Sequence, residues 1–360
     1  MGKRLAMRGA CVVGTDAAAR QFRRRELLVV NYHGLQADDS QRRAWLLLPR
    51  RRFVEQLSYL ARYYHVRPVD EAVAALREGS LAEPTACITF DDGYRNNLTI
   101  GLPILRELRL PATIYLATGL IGTDARLWTT RIELAFSAAR ADRVDLGAIG
   151  MGVERLGDRE RDAETRARLG YRVKERLKAR PARERAGLVS DLLAALDTNA
   201  PDDGGDFAFL DWDEVGAMGA TGLVTFGGHT VHHEIVSRLD DATVEREIAD
   251  SVERSRATGF GSETFAYPNG GVDDFDARAT SALGRVGIAT AFTTIDGLNA
   301  SSTPPYAMRR VVVGADMSFD AFRLRVSGVA SALSRSGSVG DAAEEDRDQR
   351  PNSRKVEERV

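Results

Sequence analysis

The sequence predicts an α/β fold in which about seven parallel strands alternate with helices and curl into a barrel. Three observations predict it. Short apolar segments with the length and composition of buried strands recur along the chain, and segments of helical periodicity separate most of them. The most distinctive polar motifs directly follow strand ends, where barrel enzymes carry their chemistry. The candidate strands are residues 26–32, 86–91, 112–117, 222–228, 263–267, 287–293 and 308–313.

The alternation is interrupted between the third and fourth strands by a segment far longer than an ordinary connection. Residues 119–222 contain apolar positions at helical spacing among many Arg and Glu residues, which predicts a helical insertion. Because the insertion follows the C-terminal end of a strand, it should lie near the mouth of the barrel. We expect its apolar stripe to pack against the barrel rather than bind a partner. The stripe consists of Leu169, Val173, Leu177, Leu188, Leu192 and Leu196.

The two ends of the chain differ in composition from the middle. Residues 1–25 carry seven Lys or Arg residues against one acid, which favours either a plain solvated surface or contact with an anionic membrane surface. Residues 331–360 mix charged residues with Ser, Gly and Pro, contain no aromatic residue and are predicted to be disordered. The predicted organisation is a basic N-terminal segment at 1–25, a barrel at 26–330 with its insertion at about 119–222, and a disordered tail.

Composition argues against several classes of protein. A net charge of −2 argues against a nucleic-acid-binding protein, whose surface would be strongly basic. The two cysteines, Cys11 and Cys87, do not imply a disulfide framework. No apolar run reaches the roughly 18 residues that span a bilayer, and the first residues lack the apolar stretch of a signal peptide. We therefore expect a cytoplasmic protein.

Two adjacent acids follow the second candidate strand, in the motif Thr-Phe-Asp-Asp-Gly at residues 89–93. Since successive strand residues point to opposite sides, Asp91 and Asp92 can face in different directions, one toward a metal and the other toward a water. The alternative is an Asp-Asp-Gly turn with no chemical role.

Three of the five histidines lie within residues 229–233, directly after the fourth candidate strand. If this segment is helical, His229 and His233 project from one face and can share a metal ion, with His229 and His232 as the competing pair. Two imidazoles and one carboxylate leave a coordination position for water, which is the composition of a hydrolytic metal centre. One acid would then bind the metal while its neighbour takes a proton from the attacking water.

Together these motifs resemble those of the NodB-type polysaccharide deacetylases, carbohydrate esterase family 4. The resemblance rests on residues 89–93, on residues 229–233 and on Phe-Ala-Tyr-Pro-Asn-Gly at residues 265–270. It covers residues 26–315 or so and implies a distorted, incomplete (β/α) barrel of about this strand count. The supporting segments are residues 30–34, 111–116 and 308–311.

The resemblance implies a catalytic metal and a base. Asp91 would be the general base, and Asp92, His229 and His233 would bind one divalent transition metal. Zinc is the expected ion, with cobalt and nickel as alternatives, because such a site accepts several ions. His232 would fall at a position that does not bind the metal.

The resemblance also implies a substrate groove beside the metal. Tyr267 and Pro268 would form part of one wall of this groove. The backbone N–H of Asn269 would help to hold the oxyanion that develops during hydrolysis, a role that survives a change of side chain.

The chain departs from the family pattern in three places. Ala266 stands where the family often has arginine, Asn269 where it often has tyrosine, and no histidine follows His233, although many members use a C-terminal histidine as general acid. Arg310, ahead of the last strand, is our candidate for the missing cation. His33, at the end of the first strand, is our candidate for the proton donor to the leaving amine. The alternative is that His33 only supports the barrel mouth or a metal ligand.

The sequence thus predicts a metal-dependent hydrolase that removes the acetyl group from an N-acetylated amino sugar in a saccharide or glycoconjugate. One alternative is a deformylase or other amidohydrolase acting on a different non-peptide amide. The other is a non-catalytic saccharide-binding protein on the same scaffold. Because we expect a cytoplasmic protein, a biosynthetic intermediate is a candidate substrate.

Overall fold

The computed structural model describes residues 14–40, 44–158, 161–198 and 204–329. The seven candidate strands are all present, and they form a parallel sheet that curls into an incomplete barrel. The fold class predicted from the sequence is therefore confirmed. The strands of the described residues are β1 Leu27–Tyr32, β2 Gly34–Gln36, β3 Leu47–Pro49, β4 His65–Val66, β5 Thr85–Phe90, β6 Ala112–Leu116, β7 Arg143–Asp145, β8 Val153–Arg155, β9 Val224–Gly228, β10 Gly261–Ala266, β11 Thr290–Phe292 and β12 Val311–Val312.

The barrel strands follow the order β11-β10-β9-β6-β5-β1-β12, and the short β4 pairs with the start of β5. Apart from β12, which returns to pair with β1, each barrel strand lies beside the one that precedes it in the sequence. The two ends of the sheet meet at a single parallel bridge between Phe292 and Met308. There the N–H of Thr293 donates to the carbonyl of Met308 at 2.8 Å, so the described strands nearly close the barrel.

Helices surround the sheet and cover its outer face. The helices of the described residues are α1 Thr15–Phe22, α2 Arg50–Tyr63, α3 Val69–Glu78, α4 Leu102–Leu108, α5 Trp128–Ala138, α6 Ala163–Lys178, α7 Ala182–Ala195, α8 Trp212–Gly219, α9 Asp241–Arg256, α10 Ala277–Arg285 and α11 Phe319–Val326. A π-helical turn, Asn97–Gly101, leads directly into α4.

Alternate residues of the strands pack on the two faces of the sheet. Leu28 and Val30 of β1 belong to the largest apolar cluster, together with Phe53 of α2. Leu27 and Val29 belong to a separate cluster that includes residues from β5, β6, β10 and β11. Burial on both faces explains why β1 and β5 are continuous apolar runs rather than alternating ones, as expected for parallel strands covered by helices.

The insertion is helical, as predicted, and contains α5 to α8 and the antiparallel pair β7–β8. Its apolar stripe does not pack mainly against the barrel, and that expectation was wrong. Leu169, Val173 and Leu177 of α6 instead pack with Ile132 and Phe136 of α5 in a cluster that lies within the insertion. The insertion is long enough to build an apolar core of its own, which periodicity cannot reveal.

The predicted ends of the chain are only partly described. Residues 1–13 of the basic segment and residues 330–360, which include the predicted tail, lie outside the described residues. Within the described ranges, no helix has the length and apolar character needed to cross a membrane.

Candidate active site and metal centre

The sheet register brings the predicted site residues to one rim of the barrel. Tyr32 at the end of β1 pairs with Phe90 at the end of β5, so His33 and the two acids leave neighbouring strands at the same level. Leu116 at the end of β6 pairs with Gly228 at the end of β9, and His229 follows directly. All of these groups lie at strand C-terminal ends, where barrel enzymes build their active sites.

The backbone turns sharply at the two acids. Asp92 has a left-handed conformation with φ of 75°, and Gly93 follows with φ of 86°. A Cβ at position 93 would lie 2.8 Å from a methyl group of Leu116, so both the conformation and the space require glycine there. The turn directs the carboxylate of Asp92 to different partners from that of Asp91.

Asp92, His229 and His233 form a buried group of three potential metal ligands. Their ligand atoms all lie within 4.8 Å of one another. Asp92 Oδ1 is 3.1 Å from His233 Nε2 and 3.5 Å from His229 Nε2, yet it accepts no hydrogen bond from any described residue. His229 Nδ1 contacts the carbonyl oxygen of Ala266 at 2.7 Å, so Nδ1 donates and Nε2 keeps its lone pair for a cation.

The ionisation of this group favours a bound cation. Burial alone would raise the pKa of Asp92, but His233 and His229 hold that pKa well below its usual range. Burial opposes protonation of His229, whereas the carboxylates of Asp91 and Asp92 raise its pKa. An anionic oxygen and two imidazole nitrogens that converge without a hydrogen bond to that oxygen match the donor set of a divalent transition metal.

The segment that carries the histidines is not helical, so the condition on which the 229/233 spacing was predicted is not met. Residues 229–233 form an irregular loop in which Thr230 and His233 have left-handed φ values of 60° and 57°. The loop pairs with the chain after β6. The backbone N–H of His229 donates to the carbonyl oxygen of Leu116 at 2.9 Å, and the backbone N–H of Gly119 donates to the carbonyl oxygen of Val231 at 2.8 Å.

Glu247 of α9 holds the middle of this loop. Its Oε2 accepts from the backbone N–H groups of Val231 and His232 at 2.9 Å each, and its Oε1 lies 2.5 Å from His232 Nδ1. The side chain of His232 is 64% exposed, whereas that of Glu247 is only 7% exposed. His232 therefore points away from Asp92, His229 and His233, which we call the triad, and the geometry pairs His229 with His233.

Asp91 faces a different set of partners. Arg310 donates two hydrogen bonds to its carboxylate, at 2.7 and 2.8 Å, and Asn31 Nδ2 donates a third at 2.9 Å. Arg310 is fully buried and its Nε donates to the carbonyl oxygen of Thr293 at 2.8 Å. Burial acts to raise the pKa of Asp91, but Arg310, together with His229 and His33, outweighs it, and the pKa lies below its usual value. Asp91 is thus ionised and held apart from the triad.

His33 lies next to Asp91, with its Nε2 4.0 Å from Asp91 Oδ2. Burial lowers the pKa of His33, although the carboxylates of Asp92 and Asp91 act in the opposite direction. Its Nδ1 is buried and has no hydrogen-bond partner among the described residues. His33 thus lies beside Asp91 at the site, and its burial favours the neutral imidazole.

The segment after β10 contains Asn269, the residue predicted to contribute an oxyanion donor. Asn269 is left-handed, with φ of 60°, and its N–H donates to no acceptor among the described residues. The ring of Tyr267 stacks on Phe275 with centroids 4.4 Å apart. Tyr267 and Pro268 are both buried, so neither has the exposure expected of a groove wall.

Comparison with known proteins identifies the family. A model described as polysaccharide deacetylase matches residues 78–290, more than half of the chain. The chain belongs to the polysaccharide deacetylase family. It is therefore a hydrolase of carbon–nitrogen bonds other than peptide bonds, and a deacetylase that acts on polysaccharide. No curated protein sequence matches the chain.

Solved structures share the fold at low sequence identity. The Streptococcus pyogenes deacetylase PplD, solved with acetate, is 15% identical with a TM-score of 0.55, covering 84% of this chain and 98% of its own. IcaB from Ammonifex degensii is 18% identical with a TM-score of 0.51, covering 84% and 97%. A de-N-acetylase from Aggregatibacter actinomycetemcomitans is 13% identical with a TM-score of 0.52, covering 83% and 98%. These likenesses show a common fold.

The structure of the deacetylase adds residues that the sequence had not indicated. Asn31 bonds Asp91 and also accepts from Thr89 Oγ1 at 3.1 Å. The sequence feature that could have indicated Asn31 is an amide side chain inside the apolar strand β1. Glu247 follows the apolar face of α9 three residues after Val244, and an acid at such a position indicates a buried partner.

We expect Glu247→Ala to weaken metal binding. The change removes the acceptor for two backbone N–H groups between His229 and His233, so the ligands lose their orientation, which typically costs roughly 10–100-fold in affinity. Zinc affinity measured by competition with a chromophoric chelator tests this. The matched control is Glu245→Ala, on the same helix, where the side chain is 56% exposed and pairs with Arg285. A folded Glu247→Ala protein with the affinity of the control would contradict the assignment.

We also expect the buried pair Asp91–Arg310 to behave as one unit in stability. Arg310→Met leaves a buried carboxylate without its cation and should lower the free energy of unfolding by about 3–5 kcal/mol. The double variant Asp91→Asn with Arg310→Met should recover part of that loss. Urea unfolding measures both. Arg285→Met, which breaks an exposed pair, should cost under about 1 kcal/mol, and an equally small loss for Arg310→Met would refute the coupling.

Proposed function

We propose that the protein is a metal-dependent deacetylase that hydrolyses the N-acetyl amide of an amino sugar in a saccharide or glycoconjugate. The observation that carries this proposal is that the two adjacent acids have different partners. Asp92 meets two imidazoles, while Asp91 meets Arg310 and Asn31 and lies outside the triad. A binding protein has no need of an ionised, metal-free carboxylate beside a ligand set, so this arrangement favours a hydrolase.

Asp92, His229 and His233 would hold zinc, cobalt or nickel. Such an ion, when bound, supplies a Lewis acid that polarises the amide carbonyl and lowers the pKa of water toward roughly 7. The three residues leave coordination positions for water and substrate, as hydrolytic sites do.

Asp91 is the general base in this proposal. It takes a proton from the water that attacks the carbonyl carbon of the acetyl group. Arg310 and Asn31 hold its carboxylate in place and keep it ionised, so that it is ready to accept the proton. Arg310 itself is fully buried, and we assign it to Asp91 rather than to the substrate.

Asn269 and His33 complete the reaction. The N–H of Asn269, which has no acceptor among the described residues, would donate to the developing oxyanion. Tyr267 and Pro268 are buried, so they would support this segment rather than line the groove. His33 would give a proton to the nitrogen as the carbon–nitrogen bond breaks, because an amine anion is a poor leaving group. Because burial lowers the pKa of His33 and so favours its neutral form, the proton that it donates would come from Asp91, which takes one from the attacking water and whose Oδ2 lies 4.0 Å from His33 Nε2.

The roles of Asp91 and His229 predict opposite effects on metal and turnover. Asp91→Asn should abolish deacetylation while about one zinc ion per chain remains bound, because Asp91 lies outside the ligand set. His229→Ala should lose both. Elemental analysis and acetate release from an N-acetylated oligosaccharide measure the two quantities. Activity kept in Asp91→Asn together with loss of its metal would overturn the role assignment.

The role of His33 predicts a dependence on the leaving group. His33→Gln should lower kcat for an N-acetyl sugar by roughly 10²–10⁴-fold. It should leave the hydrolysis of 4-nitrophenyl acetate nearly unchanged, because nitrophenolate departs without a proton. Equal losses on the amide and on the activated ester would mean that His33 only supports the site.

A further inference from the structure

The candidate ligand His233 lies between two neighbours that are bound to different parts of the molecule. On one side, His232 contacts Glu247 of α9, which belongs to the barrel. On the other side, Glu234 forms an ion pair with Arg185 of α7, which belongs to the insertion. The loop that carries His233 is thus held from both sides.

Arg185 is buried deeply enough for its pairing to matter. Only 2% of its side chain is exposed, its Nη1 donates to the carbonyl of Arg180 at 3.4 Å, and its guanidinium lies 5.1 Å from the ring centroid of Trp128. A guanidinium removed from water requires a compensating carboxylate, and Glu234 supplies it. The pair therefore fixes the direction in which the chain leaves His233.

A second contact joins the insertion to the same loop. Gly119, at the start of the insertion, donates to Val231 O, and Thr118 donates to Thr230 O at 3.1 Å. A Cβ on Gly119 would lie 2.9 Å from Val231 O, so the close approach of the two chains depends on glycine. The insertion thus meets the loop at its backbone as well as through Arg185.

We propose that Arg185 is a positioning residue of the metal centre and that the insertion is part of that centre. By holding Glu234, Arg185 sets the orientation of His233 toward Asp92 and His229. The inference rests on the proposed metal site. It has a thermodynamic consequence: metal binding and docking of the insertion stabilise each other, because linkage between two sites is reciprocal. The alternative is that the ion pair only stabilises the insertion.

Cobalt binding separates these two roles, because its visible spectrum reports the ligand geometry. Arg185→Met should weaken cobalt affinity by roughly 10–100-fold and alter the spectrum. If the ion pair were purely structural, the substitution would lower the melting temperature of the metal-free protein but leave cobalt affinity and the spectrum unchanged. Arg183→Met is the control, since Arg183 is exposed on the same helix. Arg185→Lys, which keeps the charge, should restore part of the affinity.

Glu234→Gln is the second variant if Arg185→Met does not fold, and we expect a change of cobalt affinity in the same direction. If the wild-type protein binds cobalt and both variants bind it with unchanged affinity and spectrum, the role of Arg185 is refuted while the metal site stands. If the wild-type protein binds no cobalt, zinc or nickel, the proposed function fails and this inference fails with it.

Discussion

The site depends on the separation of two adjacent carboxylates. Asp91 and Asp92 are both buried, and two like charges in such proximity are stable only if each has its own positive partner. The left-handed turn at Asp92 and Gly93 makes this possible by sending the two groups to different partners. Arg310 neutralises one of them, and two imidazoles, with the cation they can bind, accompany the other. The rest of the rim is arranged around these two pairings.

Much of the fold could be predicted because its signals are local. The seven barrel strands are short, mainly apolar runs, and distinctive polar motifs follow β5 and β9, so the strands and the rim could be predicted from pattern alone. Motif spacing and strand order placed the two acids and the histidines at the same rim, but the choice of Asp92, His229 and His233 as one ligand set came from the resemblance to the deacetylase family.

Other features arise only from tertiary contacts. The pairing of His229 with His233 was predicted on the condition that residues 229–233 are helical, but the conformation of this loop comes from pairing with the chain at the end of β6 and from Glu247 of a distant helix. The bidentate contact between Arg310 and Asp91 joins residues far apart in the chain, which local periodicity cannot show. The insertion's apolar stripe was assigned to the wrong partner for the same reason, because periodicity identifies a buried face and not what covers it.

The insertion contributes contacts to the barrel rim. An insertion of this length could have folded without contact to the active-site rim. Its contacts with Val231 and Glu234 instead connect it to the loop that carries His233, so the barrel and the insertion share the construction of the candidate metal site. Mutation of residues that orient metal ligands in this way typically costs roughly 10–100-fold in metal affinity or activity.

Anomalous X-ray diffraction at the zinc edge, on crystals grown with zinc, tests the central claim most directly because it locates the ion among named atoms. The account predicts one strong peak at about 2.0–2.2 Å from a carboxylate oxygen of Asp92 and from the Nε2 atoms of His229 and His233, with Asp91 still bonded to Arg310. A peak coordinated by Asp91 or His232, or no peak at this rim, would contradict it.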